Sequence, residues 1–387
     1  MTNTEIFMSK VIFAVFDFYS KTYRSQNYII HVFSSFLHRI TIFPIYWIIH
    51  SKNNFKKILS LKSDLISQNR KASCLTLIDA LFSFYFFGFF IYEYETYKFE
   101  QKTIKERFSF ASEFDLWKFV NCFDKRSEIN KLVDKEKSYE IFKDAYNRDV
   151  IAIKNNHDYQ IFDDFVNRHP TFFAKPLRGA FGKDSGIINI KNFNSNKDAF
   201  NNLISENHYI LEEVITQCQE MAQFNPSSVN TVRTTMLRTK DGVKLLFGFI
   251  RNGRQGIVVD NGGEGGIVIP YNCQNGKLYK YGFDENGNKY VEHPDSKITY
   301  KNFQIPKFDE IVKLSVNLMK RIPKLNYVGF DIAIRDNDLV VLEVNHATQF
   351  FGLQCLVNEG FHKEIEEIML TNNIPTSFWE KQKAVFN

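Results

Sequence analysis

Val328-Gly-Phe-Asp331-Ile-Ala-Ile, followed by Leu342-Glu343-Val-Asn345, is the stretch on which the fold turns. Each half alternates apolar with small or polar residues, the period-2 signature of a half-buried strand. Asp336-Asn337-Asp338 between them has hairpin-turn chemistry. Pairing the halves puts Asp331 on one strand and Glu343 and Asn345 on its partner. Two residues apart, Glu343 and Asn345 point to the same face. Three oxygen ligands on one sheet face suit a hard cation, and Mg²⁺ takes such a set while keeping positions open for phosphate oxygens. A solvated acidic hairpin is the alternative reading of the same residues.

Working upstream, Thr171-Phe-Phe-Ala-Lys175-Pro176 reads as a short strand with a lysine near its end. A glycine-rich turn follows, Arg178-Gly179-Ala-Phe-Gly182-Lys183-Asp-Ser185-Gly186, and strand character resumes at Ile187-Ile-Asn-Ile190. Glycines let backbone amides approach phosphate oxygens, and a strand lysine supplies a fixed positive charge. The turn is not a P-loop: Asp184 follows Gly182-Lys183, and Leu177 stands where the first glycine belongs. Gly262-Gly-Glu-Gly265-Gly266 does not fit the dinucleotide fingerprint either. Between these segments and the hairpin, Tyr209-Ile-Leu-Glu212-Glu213-Val-Ile-Thr-Gln217 is an apolar strand running into paired carboxylates.

The order of these features resembles the ATP-grasp superfamily: strand lysine, glycine-rich flap, Glu-Glu hinge, arginine strand, then Asp and Glu-x-Asn. Within it, the chain is similar to the sugar-transfer-associated ATP-grasp family found with surface-polysaccharide biosynthesis. That likeness is carried by Phe87-Gly-Phe-Phe-Ile-Tyr-Glu-Tyr94, Leu132-Val-Asp-Lys135, Asn225-Pro-Ser-Ser-Val-Asn230-Thr-Val-Arg233, Asp260-Asn261 with its glycines, and the hairpin. It runs from about Phe87 to about Gly360. The motifs are specific to a fold and much less so to a substrate.

The resemblance implies an α+β protein, an ATP-grasp fold of two α+β lobes sandwiching nucleotide, preceded by a mostly helical N-terminal region. It implies ATP and Mg²⁺ as cofactors, and a carboxylate–amine ligase that works through an acyl phosphate in capsule, O-antigen or exopolysaccharide assembly. The partners would be a carboxylate and an amine, such as an amino acid and a sugar acid. Lys175 would hold the α- and β-phosphates, and the Gly179, Gly182, Ser185 and Gly186 backbone would close over them. Lys135 resembles an earlier phosphate lysine, with a surface helix residue as the alternative. Glu212, Glu213, Val214 and Ile215 resemble the hinge that meets adenine. Glu220 is either a ribose-hydroxyl acceptor or a solvated helix-start glutamate. Arg233, and with weaker placement Arg251, would grip the γ-phosphate or the acceptor carboxylate as always-charged, fork-shaped donors. Asp331, Glu343 and Asn345 would hold the metal. Asp260, Asn261, Gly262, Gly263, Gly265 and Gly266 read as a substrate-side loop, with a mobile connection as the alternative. A phosphotransferase on the same fold and an ATP-binding scaffold without turnover remain open alternatives.

Composition narrows the rest. Net charge over 387 residues is only +5 and is spread along the chain, which argues against a dedicated nucleic-acid binder. The five cysteines, Cys74, Cys122, Cys218, Cys273 and Cys355, form no Cys-x-x-Cys pair, so neither a zinc site nor a disulfide framework is expected. Met1-Thr-Asn-Thr-Glu lacks a basic n-region. A cytoplasmic protein is the expectation, with peripheral association at the inner membrane face as the alternative. Two apolar stretches, Tyr28 to Ile49 and Leu75 to Tyr92, invite a membrane reading, but His38 and Arg39 interrupt the first and Asp79 the second.

The expected organisation is a helical region over 1–105, a first lobe with its preceding segment over 106–206, and a second lobe with the metal site over 207–387. A helix is expected from Lys135 to Tyr146. Strand, turn, strand, helix (Lys197 to Ser205) and strand should fill Phe172 to Val214. Thr231 to Leu237 and Val243 to Ile250 should pair about an Asp241-Gly242 turn. Residues 271–303 look like an inserted, turn-rich hairpin region. An amphipathic helix from Phe308 to Met319 and a terminal helix from about Glu359 complete the reading.

Overall fold

In the computed structural model the described residues are 51–67, 70, 73–84, 89–113, 116, 120, 124–177, 185–206, 208–257, 265–285, 287–346 and single positions near 348–360. The chain divides into two compact units, one of Met1–Cys122 with Gln349–Asn387 and one of Phe123–Thr348.

The first unit carries helices α1 (Ser51–Ser67), α2 (Cys74–Phe82), α3 (Ile91–Thr96) and α4 (Ile104–Phe108). A capping box starts α4: the Glu106 carboxylate accepts from the Thr103 amide (2.6 Å), and the Glu106 amide donates to the Thr103 hydroxyl (3.3 Å). The abundant phenylalanines make an aromatic core in which Phe99 meets Phe89 and Phe110 edge-on, with ring centroids 4.7 and 5.4 Å apart. The apolar stretch from Leu75 to Tyr92 is not one helix, because α2 ends at Phe82 and α3 begins at Ile91. Asp79 inside it is ion-paired: Arg107 donates to its two oxygens at 2.6 and 2.8 Å, and the Tyr94 hydroxyl donates at 2.6 Å. Among the described residues no helix is long and apolar enough to cross a membrane. The Tyr28 to Ile49 stretch and the expected terminal helix from about Glu359 lie essentially outside the described residues.

The second unit begins with α5 (Arg126–Val133) and α6 (Lys135–Tyr146), followed by β1 (Val150–Ile153), α7 (Tyr159–Arg168), β2 (Thr171–Pro176), β3 (Gly186–Asn189), α8 (Asn196–Glu206) and β4 (Tyr209–Glu213). Then come α9 (Gln219–Ala222), β5 (Thr231–Thr239), β6 (Gly242–Asn252), β7 (Ile267–Pro270), β8 (Gly282–Phe283), β9 (Lys289–Tyr290), α10 (Phe308–Arg321), β10 (Tyr327–Ile334) and β11 (Leu339–Asn345). Among the described residues these strands form two antiparallel sheets, one in the order β1-β4-β2-β3 and one in the order β11-β10-β5-β6-β7-β8-β9.

The helix expected from Lys135 forms because Asp134 caps it, its side chain accepting from the Lys137 amide at 3.2 Å. The first sheet packs Phe172 and Leu211 against Phe162 and Phe165 of α7 and Phe200 of α8. In the second sheet every residue of β10 is buried. On one of its faces the Phe330 ring meets Phe142 of α6 edge-on at 5.9 Å, and Thr234 hydrogen-bonds Ser315 of α10 at 2.9 Å. The other face is left for the site. β1 and α7 were not anticipated from the sequence, and the residues of 271–303 form the short strands β8 and β9 with isolated bridges.

Candidate functional site

Register decides which side chains share the site face of the larger sheet. Asp331 stands opposite Arg233 on one side and opposite Glu343 on the other. Directly paired residues project to the same face, so the three form a row across β5, β10 and β11. The β10–β11 ladder shifts between Asp331 and Ile332, passing from Glu343 to Val341 and leaving Leu342 as the extra residue of a bulge. Asn345, two beyond Glu343, donates its amide to Asp331 at 3.2 Å.

Asp331 is the hub of this row. Arg233 donates to both of its oxygens, through Nε to one and through Nη2 to the other at 2.5 Å. Arg251, at the end of β6, donates Nη2 at 2.5 Å. Burial pushes the Asp331 carboxyl upward, but Arg233 and Arg251 outweigh it and hold the group below the ordinary carboxylate range. Two glycines make room for the row. A Cβ at Gly329 would run into the Thr348 hydroxyl and come within 3.2 Å of Arg233 Cδ. A Cβ at Gly248 would run into Tyr271, whose hydroxyl donates to the Arg233 carbonyl at 3.0 Å.

The smaller sheet contributes cations. Lys175 of β2 and Glu212 of β4 approach to 3.0 Å. Glu212 is buried and also accepts from Arg148 Nη2 at 3.0 Å. Burial raises the Glu212 carboxyl and the two cations more than reverse it, leaving it below its ordinary value. Lys135 opens α6 with its ammonium donating to the Pro176 carbonyl at 2.8 Å, next to the end of β2. Its pKa is lowered by burial first, with Glu343 opposing and Lys175 reinforcing the shift. Lys135 thus senses the charges of Glu343, Lys175 and Glu212. Lys175 also helps hold Asp331 low, so the charges of the two sheets sense one another.

Other candidates sit further from this cluster. Glu213 pairs with the start of β1, its carboxylate accepting from the Asp149 amide at 3.1 Å. Val214 is exposed and Ile215 half-buried just past β4, and Glu220 is exposed in the first turn of α9. Ser185 is half-buried and Gly186 pairs with Ala174, whereas Gly179 and Gly182 lie outside the described residues. Gly265 adopts a φ of +81° beside Arg254 and Gly266 is buried; Asp260, Asn261, Gly262 and Gly263 lie outside the described residues. Two features escaped the sequence reading. Arg148 sits in a turn, Tyr146-Asn-Arg-Asp-Val150, that carries no motif. Asn230, just upstream of Arg233, donates to the carbonyls of Met221 and Asn225 and to Gln217, fixing the approach to β5. Its place in Asn230-Thr-Val-Arg233 was the available signal.

The chemistry of the row fits a hard cation bound sparingly by protein. Among the described residues no three His, Cys, Asp or Glu side chains converge on one point. Asp331, Glu343 and the Asn345 amide are two carboxylates and a neutral oxygen donor, a set suited to Mg²⁺ that draws its remaining ligands from phosphate and water. Arg233 and Arg251 lie at the same carboxylate and are placed to meet anionic oxygens beside it.

Comparison with known protein families matches residues 117–369, well over half of the chain, to the sugar-transfer associated ATP-grasp family. No curated protein matches the chain. Among solved structures it is similar to the ATP-grasp ligase PsnB complexed with minimal precursor, at 14% identity and a TM-score of 0.36 over 64% of this chain and 67% of that one. It is also similar to N5-carboxyaminoimidazole synthetase from Staphylococcus aureus complexed with ADP, at 16% identity and a TM-score of 0.40 over 61% of this chain and 50% of that one. For D-alanine–D-alanine ligase from Bacillus anthracis complexed with ATP, the figures are 14% identity and a TM-score of 0.40, over 67% of this chain and 71% of that one. The chain thus spans half the length of the Staphylococcus aureus synthetase.

Proposed function

The chain belongs to the sugar-transfer associated ATP-grasp family, and from that membership and the site's geometry we propose that it is an ATP- and Mg²⁺-dependent carboxylate–amine ligase serving polysaccharide assembly in the cytoplasm. The observation that carries the proposal is the row Arg233–Asp331–Glu343, with Arg251 and Asn345, on one sheet face and Lys175 and Lys135 as cations on the nucleotide side. Phosphoryl transfer asks a protein mainly for positioning and charge neutralisation, and this is what that residue set supplies.

Lys175 and Lys135 orient the α- and β-phosphates, and the 212–215 segment receives adenine. Asp331, Glu343 and Asn345 would hold Mg²⁺, which would supply neutralisation of phosphate charge. Arg233 and Arg251 hold the γ-phosphoryl group and the acceptor carboxylate in line. The carboxylate oxygen attacks the γ-phosphorus as its bond to ADP breaks, giving an acyl phosphate. An amine then attacks the acyl carbon, phosphate leaves, the amine loses a proton, and an amide remains. The 260–266 loop would face the acceptors.

The test is ADP release from the purified protein across amino acids paired with sugar acids, with hydroxylamine as a trap. Carboxylate-dependent ADP release with hydroxamate formation supports the ligase. A stable phosphorylated product without trapping makes the protein a phosphotransferase, and ATP binding without ADP release for any pair makes it a scaffold.

A further inference from the structure

Glu212 is a buried carboxylate with two cations against it, and of the two Lys175 keeps some exposure while Arg148 keeps none. Arg148 approaches at 3.0 Å with a side chain that has no exposure, whereas the Lys175 side chain, also at 3.0 Å, keeps 21% of its surface. The Arg148 guanidinium lies over the Tyr146 ring at 4.7 Å. Its Nη1 donates to the Tyr146 carbonyl at 3.0 Å and to the Val341 carbonyl at 2.6 Å.

We propose that Arg148 is a positioning residue that keeps Lys175 available to nucleotide phosphate by sharing the neutralisation of Glu212; the proposal rests on the ATP-binding reading above. The cluster holds two positive charges and one negative. Arg148 is enclosed and always charged, so it offsets Glu212 permanently and the surplus positive charge resides on Lys175. Without Arg148, the ion pair left to Glu212 is the one with Lys175. A buried one-to-one pair attracts strongly at low dielectric, and the ammonium is then held on the carboxylate. Lysine at position 148 keeps the charge but has one nitrogen where the guanidinium fork spans Glu212 and two carbonyls. Val341 immediately precedes Leu342, the residue skipped where Glu343 comes opposite Asp331. One guanidinium thus ties the counter-ion of the phosphate lysine to the strand that presents Glu343.

The experiment is calorimetric titration of the full-length protein with ADP and Mg²⁺, alongside thermal midpoints, for wild type, Arg148→Met, Arg148→Lys, Glu212→Gln and the Arg148→Met/Glu212→Gln double variant. Arg148→Met is expected to weaken ADP about 10- to 100-fold, the usual cost of removing a supporting partner, with Arg148→Lys in between. Adding Glu212→Gln removes the carboxylate that captures Lys175, so the double variant should recover most of the lost affinity. A purely structural arginine would lower the thermal midpoint and show no such recovery. Should Arg148→Met not fold, recovery of the double variant relative to Arg148→Lys decides. Unchanged ADP affinity in Arg148→Met, or losses that multiply in the double variant, would overturn the assignment alone. Failure of wild type to bind ADP would overturn the nucleotide reading, and the assignment with it.

Discussion

Asp331 faces Arg233 directly across the β5–β10 ladder, and Arg233 donates to both oxygens of its carboxylate. Arg251 adds a third donor to the same group. The carboxylate proposed for metal and the guanidiniums proposed for phosphate therefore neutralise one another within the protein itself. A ligand carrying both a cation and anionic oxygens satisfies the two sides at once. MgATP is such a ligand, and neither ion alone is.

That pairing separates two variants that the sequence alone would treat alike. Glu343 is exposed, and Glu343→Gln should leave stability within about 0.5 kcal/mol of wild type. Asp331 is 1% exposed, and Asp331→Asn strands two guanidiniums, so it should cost about 3–5 kcal/mol. Both should abolish the thermal stabilisation given by MgATP. Urea denaturation with and without MgATP measures both effects, and equal stability of the two variants would contradict the buried ion cluster.

Gly329→Ala tests the packing beneath the row. The added methyl collides with the Thr348 hydroxyl and crowds the Arg233 stem. Overpacking of this kind costs about 1–3 kcal/mol. Because Arg233 is displaced as well, the MgATP response should fall more than the lost stability explains. Denaturation midpoints and ATP titration of the same variant check it, and a response that survives intact would separate Gly329 from the site.

Much of this site was legible because strands announce themselves by alternation. Val328 to Ile334 and Leu342 to Asn345 could be paired by eye, and that pairing is enough to bring Asp331 and Glu343 to one face. Lys175 stood out because a charge inside an apolar strand is unusual. Arg148 did not, since an arginine in a short turn looks the same whether it ends in water or threads back to a strand edge. Nor could alternation reveal the bulge at Leu342, which sets the register of Glu343 yet leaves the local pattern unchanged. In the sequence Asp79 looks like a disruption of an apolar run, because its partner Arg107 lies 28 positions away, beyond any local period.

Asp124 supplies a pH-dependent prediction. It is 5% exposed and accepts from the Asn326 amide at 2.6 Å and the Tyr327 amide at 3.1 Å, at the entry to β10. Burial outweighs these bonds and raises its carboxyl from 3.8 to about 6. A raised acid pKa means that the folded state binds the proton more tightly than the unfolded one. Its contribution is full below about 4 and is lost as pH rises through about 6, a span worth about 3 kcal/mol. Asp124→Asn lacks this term, so the stability of wild type relative to the variant should grow as pH falls from 7.5 to 4.5. Urea titrations of both proteins across that range measure it, and a constant difference would place the titration elsewhere.

Arg233→Lys addresses the chemical step. Lysine keeps a positive charge near Asp331, so the ion cluster is not emptied, but the fork that reaches two oxygens at once is lost. If Arg233 steadies charge on the phosphoryl group in flight, the loss falls on turnover and spares ground-state binding. The expectation is a fall of about 10²-fold or more in carboxylate-dependent ADP release, with ADP affinity close to wild type. Hydroxamate yield should fall in the same proportion if this step makes the proposed acyl phosphate, which hydroxylamine would intercept. Steady-state turnover, ADP titration and hydroxylamine trapping on the same preparation separate the effects. Weakened ADP binding with turnover preserved at saturation would instead assign Arg233 to nucleotide anchoring and leave the transferring phosphate to Arg251.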